Sequence, residues 1–376
     1  MKTPNSLESA AEVLAGILEK FGLGSAQPLI RPTLRHGVRI QRARLATDAW
    51  PALFQSIAAQ LHAHHEKQGE GGHVVRRKSI LEREKIEVPS GPLALVKGCS
   101  YDAVGEYLCR EALPPDVLAL GSSRLGGQPD LPADLPWPTW YAHGKYGRLA
   151  EPEAKLTFLG QINLAELQAQ VPTPELPAAG LMLFFFDANN EPWGFDPDDR
   201  SGHRVIFARP GQELTRRVCP DVESCVLPAT VSFERIATLG KLDDSSLDWA
   251  SLGVDAQGVD WYELEEAMRV LRPERPHHHL LGTAAQVQSG DMRAECQLVS
   301  HGFMAGDEEG WRMGMAEPGV AEGIDHWQLL LQFDSEDTDD GLGPMWGDCG
   351  LLYFWIEAQK LAVQDFSETC AILQCS

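Results

Sequence analysis

Two short stretches of the chain are unbroken runs of large apolar residues: Leu181-Met-Leu-Phe-Phe-Phe186 and Leu351-Leu-Tyr-Phe-Trp-Ile356. Each is too short for a typical helix and rich in aromatics, so each is expected to be a strand buried on both faces. Each opens on a glycine (Gly180, Gly350) and closes on a carboxylate (Asp187, Glu357). A second matched pair precedes them, Phe158-Leu-Gly-Gln-Ile-Asn163 against Leu329-Leu-Leu-Gln-Phe-Asp334. Gln161 lies 19 residues before Gly180, and Gln332 lies 18 before Gly350. Matched segments at matched spacing predict an internal duplication offset by about 170 residues, far longer than the roughly 20–50 of a solenoid repeat. The expected result is two fused copies of one β-rich unit.

Other segments have helical spacing. Over residues 5–21, Leu7, Ala11, Leu14, Leu18 and Phe21 share one stripe, with Asn5 or Ser6 as cap and Gly22 as stop. From Asp48, Trp50, Leu53, Phe54, Ile57 and Leu61 share another. A helix over 101–112 ends before Pro114-Pro115, which places a boundary near 113–116. Asn163-Leu-Ala-Glu166 and Asp260-Trp-Tyr-Glu263 are capping patterns; behind the second, Trp261, Leu264, Met268 and Leu271 form a buried face. Further strands are expected over 93–96, 156–162, 205–208, 231–238, 327–333 and 371–374, and a short helix over 357–366. Residues 308–319 read as loop.

The pattern predicts an α+β protein, predominantly antiparallel β, with two duplicated β-rich units in a pseudo-twofold relation and a helical N-terminal region. The expected boundaries are 1–113 for that region, 114–240 for the first copy, and 241–376 for a linker and the second copy. A chain of 376 residues has room for about two domains, and its 35 glycines and 25 prolines imply many turns. No apolar run reaches the roughly 18 residues of a membrane-spanning helix. The first residues carry no leader pattern, so the expected location is cytoplasmic. Eight cysteines without a Cys-x-x-Cys pair are then expected to be reduced thiols. A net charge of −22 makes nucleic acid and anionic membrane poor partners. The charge is uneven, since residues 31–110 carry +5 and the remainder −27. The acidic part is either a solvated surface or a face for a basic protein partner.

The candidate chemistry is sparse. Gly121-Ser-Ser-Arg-Leu-Gly-Gly127 has the composition of an anion nest, but the proline-rich sequel cannot form the helix onto which a phosphate loop opens. The acidic loop 334–343 lacks the spacing of a calcium loop. Consecutive histidines at 277–279 point to alternate faces, which disfavours a shared metal, and no cofactor or metal is expected. Cys349 is a conceivable nucleophile, but neighbouring carboxylates raise a thiol pKa, so it is expected to be a packed thiol. Gln161 and Gln332 are amides in otherwise apolar strands and need hydrogen-bond partners. Each either ties its strand to a neighbouring loop or lines a cleft between the copies, with Arg124, Trp193, Trp346 and Asp348 at the rim. These six are the candidate ligand-binding residues. With no catalytic set in evidence, binding is the favoured function; the alternative is a small-molecule- or metal-dependent enzyme sited in that cleft.

Several motifs together resemble a known family. They are Arg124-Leu-Gly-Gly-Gln-Pro-Asp-Leu-Pro132 with Trp137-Pro138, Leu159-Gly-Gln-Ile-Asn-Leu164, Trp193-Gly194, His279-Leu-Leu-Gly282, Leu330-Leu-Gln-Phe-Asp-Ser335 and Trp346-Gly-Asp-Cys-Gly-Leu-Leu-Tyr-Phe354. In order and spacing they resemble the YwqG-like family, domain of unknown function 1963, over roughly 117–375. The resemblance implies a bacterial cytoplasmic protein and carries over no catalytic residues. Some genes of that family lie near secreted-toxin loci, which implies a toxin-neutralising role.

Overall fold

The computed structural model describes residues 6–30, 34–43, 118–144, 149–220, 226, 228–239, 250, 255–271, 278–336 and 344–375. The helices expected from Asp48 and over 101–112, the strand over 93–96 and most of the acidic loop lie outside the described residues.

The strands in chain order are β1 (Arg35–Ala43), β2 (Arg124–Leu125), β3 (Asp130–Pro132), β4 (Thr139–Ala142), β5 (Glu151–Lys155), β6 (Thr157–Asn163) and β7 (Leu181–Phe186). Then come β8 (His203–Ala208), β9 (Leu214–Arg216), β10 (Ala229–Thr238), β11 (His279–Leu281), β12 (Trp327–Asp334), β13 (Leu351–Glu357) and β14 (Cys370–Gln374). Ten of them form one antiparallel sheet in the order β14-β13-β12-β11-β1-β10-β2-β6-β7-β8; β3–β9 and β4–β5 are separate pairs. The helices are α1 (Leu7–Lys20), α2 (Gln27–Ile30), α3 (Leu164–Gln170), α4 (Trp261–Met268), α5 (Met292–Ser300), α6 (Glu308–Met315), α7 (Val320–Gly323) and α8 (Ala358–Ala362). The protein is therefore α+β with mostly antiparallel strands.

The two apolar runs are the buried strands β7 and β13. They lie near opposite ends of the sheet, yet the Phe184 and Phe354 rings meet at 5.4 Å. The sheet doubles back on itself, and its inner face closes one core. Val38 and Ile40 of β1, Leu159 and Ile162 of β6, Leu331 and Phe333 of β12, and Leu373 of β14 all belong to it. Trp346 is wedged between Phe186 and Phe333 at 5.6 and 6.0 Å. Each half also has an outer face. Over β6–β8 lie Leu131 and Trp140, packed on Phe158 and Phe185. Over β12–β14 lie Met292 and Cys296 of α5, packed on Leu329, Tyr353 and Trp355.

The halves share details of register. β2-β6-β7-β8 and β11-β12-β13-β14 pair in the same succession. Arg124 faces Gln161 and Gln161 faces Leu183; His279 faces Gln332 and Gln332 faces Tyr353. A bulge interrupts β6 between Phe158 and Gly160, and another interrupts β12 between Leu329 and Leu331. Positive φ follows both short strands, 61° and 72° at Gly126 and Gly127 against 55° and 77° at Leu281 and Gly282. The halves join at the centre of the sheet: β1, from the N-terminal region, pairs with β11 on one side and β10 on the other, and β10 pairs with β2.

The N-terminal stripe folds as α1. Ser6 is its cap, accepting from the Ser9 N–H at 3.1 Å, and Gly22 takes φ 73° just past its end. With α4 and the ends of β1 and β10, α1 forms a satellite core. Residues 308–319, expected to be loop, instead hold α6, capped by Asp307. The glycines that read as breakers are packing positions. A Cβ on Gly310 would collide with the Met304 carbonyl, and one on Gly314 with Leu298.

Candidate functional site

The polar centre of the first half is Asp130, fully buried on the outer face. Its carboxylate takes Arg216 Nε at 2.8 Å, Arg124 Nη2 at 2.8 Å, Gln161 Nε2 at 2.9 Å and the Gly121 N–H at 2.7 Å. Burial pushes its pKa up, but the Arg216 hydrogen bonds and the Arg124 charge outweigh this and hold it below the usual carboxylate value. Burial lowers Arg124 to about 10 despite Asp130. Arg124 Nε also donates to the Gln128 carbonyl at 3.1 Å. Asn163 caps α3 as expected, accepting from Ala165 and Glu166 N–H groups. Glu166 does not close the capping box; its carboxylate accepts the Ser123 N–H at 2.9 Å, because the Asn163 N–H is already held by Ser123 Oγ.

Gln161 and Gln332 occupy equivalent places. Gln161 Oε1 accepts the Asp130 N–H at 2.9 Å, and Gln332 Oε1 accepts the Ala285 N–H at 2.7 Å. Each amide holds the loop that crosses its own outer face. Gln332 shares its face with Tyr353, whose hydroxyl donates to the Ala285 carbonyl at 2.8 Å, and Gln374 continues the row by accepting from Val287 and Gln288.

The six candidate residues do not converge on one cleft. Arg124 and Gln161 meet at Asp130 on one outer face, while Gln332 lies on the opposite outer face with the whole inner core between them. Trp346 is 1% exposed inside that core. Asp348 is exposed on the turn before β13, and Trp193 lies alongside, its carbonyl accepting from Leu373 at 3.1 Å. Cys349, expected to be packed, is exposed with φ 56°, because the turn folds out over the end of β14. His278 and His279 point to opposite faces. His278 Nδ1 accepts from the Asp334 N–H, and Nε2 meets Glu336, which also pairs with Arg42. Among the described residues no three His, Cys, Asp or Glu side chains form a metal-holding group.

Three features were not anticipated from sequence. One is a cavity of about 360 Å³ between the Pro174–Pro177 segment and Gln328, Leu361 and Gln364. Another is Glu295 in the first turn of α5, raised to about 7 by burial with help from Asp291, one oxygen buried without a partner. The last is the acidic layer of α6 and α7, where Asp307, Glu308, Glu309, Glu317, Glu322 and Asp325 are all exposed. Between residues 305 and 326 the sequence holds one arginine, Arg312, 3.8 Å from Glu309, and Asp325 is held from outside by Arg293 of α5 at 2.8 Å. Its carboxylates are visible in the sequence, but the helices that gather them were hidden by Gly310, Gly314 and Gly319.

These observations define an α+β protein built on one doubled-back antiparallel sheet. The chain belongs to the family described as a domain of unknown function (DUF1963), whose sequence profile matches residues 123–375. No curated protein matches the chain. No described helix is long and apolar enough to cross a membrane.

Proposed function

We propose that this is a binding protein whose acidic layer on α6 and α7 engages a basic protein partner, in the manner of a toxin-neutralising protein. The observation that carries this reading is the run of six exposed carboxylates along α6, α7 and their flanks, met only by Arg312 beside Glu309 and by Arg293 of α5 on Asp325. Such a face raises the local concentration of a cationic partner and speeds its approach, an effect screened beyond roughly 8–10 Å at physiological salt. The test is retention of partner at low and high salt by the native protein and by a variant carrying D307N, E308Q, E317Q and E322Q. Loss of the partner at high salt, and from the variant at low salt, is expected. Equal retention in all four conditions contradicts the reading.

The cavity beside Gln328 and Leu361 favours a second reading, a small-molecule site between the halves. Its volume lies within the roughly 300–1,000 Å³ range of ligand pockets. Here a metabolite panel raises the melting temperature of the native protein, and L361W, which fills the cavity, abolishes the shift.

A further inference from the structure

The turn from Trp346 to Gly350 carries one cysteine, Cys349, and packs against another, Cys375. The Gly350 N–H returns to the Trp346 carbonyl at 2.7 Å, and the Gly350 carbonyl accepts from the Ser335 N–H and hydroxyl, fastening the turn to β12. On its other side the β13–β14 register, Leu351 opposite Gln374, sets Gly350 opposite Cys375. The Cys375 side chain lies within the curve of the turn. A Cβ on Gly347 would stand 2.9 Å from Cys375 Sγ, and one on Gly350 would stand 2.7 Å from Cys375 Cβ. Only glycine leaves room for that thiol at both positions, and Cys349 sits between them with its own side chain exposed.

We propose that Cys349 and Cys375 form an oxidisable dithiol that a small-molecule disulfide converts to an intramolecular bridge tying β14 to the β12–β13 turn. Residues directly opposite in an antiparallel pair have Cα atoms roughly 4.5–5.5 Å apart, and Cys349 is one step along a chain that bends back toward Cys375. A disulfide needs Cα atoms roughly 4.4–6.8 Å apart, a span that the bend of the turn toward Cys375 brings into reach of Cys349. In the first step the exposed Cys349 thiolate attacks one sulfur of the oxidant, whose own sulfur–sulfur bond breaks and releases one thiol. The Cys375 thiolate then attacks Cys349 Sγ of the mixed disulfide and expels the second thiol. Two protein thiols are oxidised, one oxidant disulfide is reduced, and both protons leave with the released thiols.

The molecule contains an internal comparison. Cys296 of α5 and Cys370 of β14 touch, but both are buried between the helix and the sheet in the cluster that holds Trp355, closed to a dissolved oxidant. Reaction is therefore expected at the turn and not beneath the helix. The test is incubation of the native protein with oxidised glutathione, followed by intact-mass and peptide mapping of the wild type, C349S and C375S. The expected wild-type product carries a peptide joined through 349 and 375, lighter by two hydrogens than its two reduced parts and reversed by dithiothreitol. Each single variant should instead keep one glutathione adduct on its remaining turn cysteine. Separate adducts at both positions of the wild type, a bridge between Cys296 and Cys370, or no reaction would each overturn the proposal.

Discussion

Asp130 shows how much of the protein's polar chemistry is structural. It is a fully buried carboxylate shared by two guanidinium groups, and its removal leaves Arg124 charged in the interior. D130N is expected to cost about 3–5 kcal/mol in urea unfolding, and a loss under about 1 kcal/mol contradicts the role assigned to it. Q161L and Q332L each orphan one loop N–H, and each should cost about 1–3 kcal/mol. Glu295 carries a pH signature. Its folded pKa of about 7 exceeds the ordinary 4.5 of a glutamate, so between these values the folded state holds a proton that the unfolded state has released. Its contribution to stability therefore falls as pH rises from 4.5 through 7, by at most about 3 kcal/mol. E295Q should remove that slope and stabilise the protein at pH 8. His203 acts at the other end. Burial lowers it to about 4, and Nε2 lies 3.1 Å from the Thr369 carbonyl, so its contribution is lost as pH falls from 6.5 toward 4. The two windows overlap, and their opposite slopes cancel between about pH 4.5 and 6.5, so together these groups leave stability level there and lower it on either side, which a series of melting curves can check.

At the scale of elements, apolar pattern was the dependable signal. β7 and β13 were legible because a short aromatic run fits only a strand buried on both faces, and α1 and α4 because their stripes and caps agree. α5 and α6 were not. Glu295 and Gln297 are buried in α5 and break its stripe, while in α6 Gly310 and Gly314 mimic a loop although close packing requires them. A paired substitution separates the two uses of glycine. G16A in α1, where a Cβ meets nothing within 4 Å, should stabilise by about 1 kcal/mol. G310A should destabilise despite the same gain in propensity, because its Cβ displaces the Met304 backbone. Equal effects in chemical denaturation would contradict the packing account. The candidate site was legible only in part: an isolated Gln among apolar residues announces a buried hydrogen bond, but not which face of the sheet it serves.

At the scale of the molecule, the pairing of β1 with β10 at the centre of the sheet binds the halves. We propose that they descend from one β-rich unit, on the strength of their common bulge, common Gln-to-loop hydrogen bond and common positive-φ pair. The offset is legible in the sequence but the β1–β10 pairing is not, because β1 is separated from its partners by long stretches of chain and its alternation of Val38 and Ile40 with Arg39 and Gln41 is too short to announce a central strand. The acidic layer, in contrast, belongs to one half alone. If the inner core is shared, neither half opens without the other. Native-state hydrogen exchange under increasing denaturant tests this directly by comparing the amides of Met182–Phe186 with those of Leu352–Ile356. The account predicts that both sets open with one free energy, equal to that of global unfolding; exchange of one strand at low denaturant while the other stays protected would contradict it.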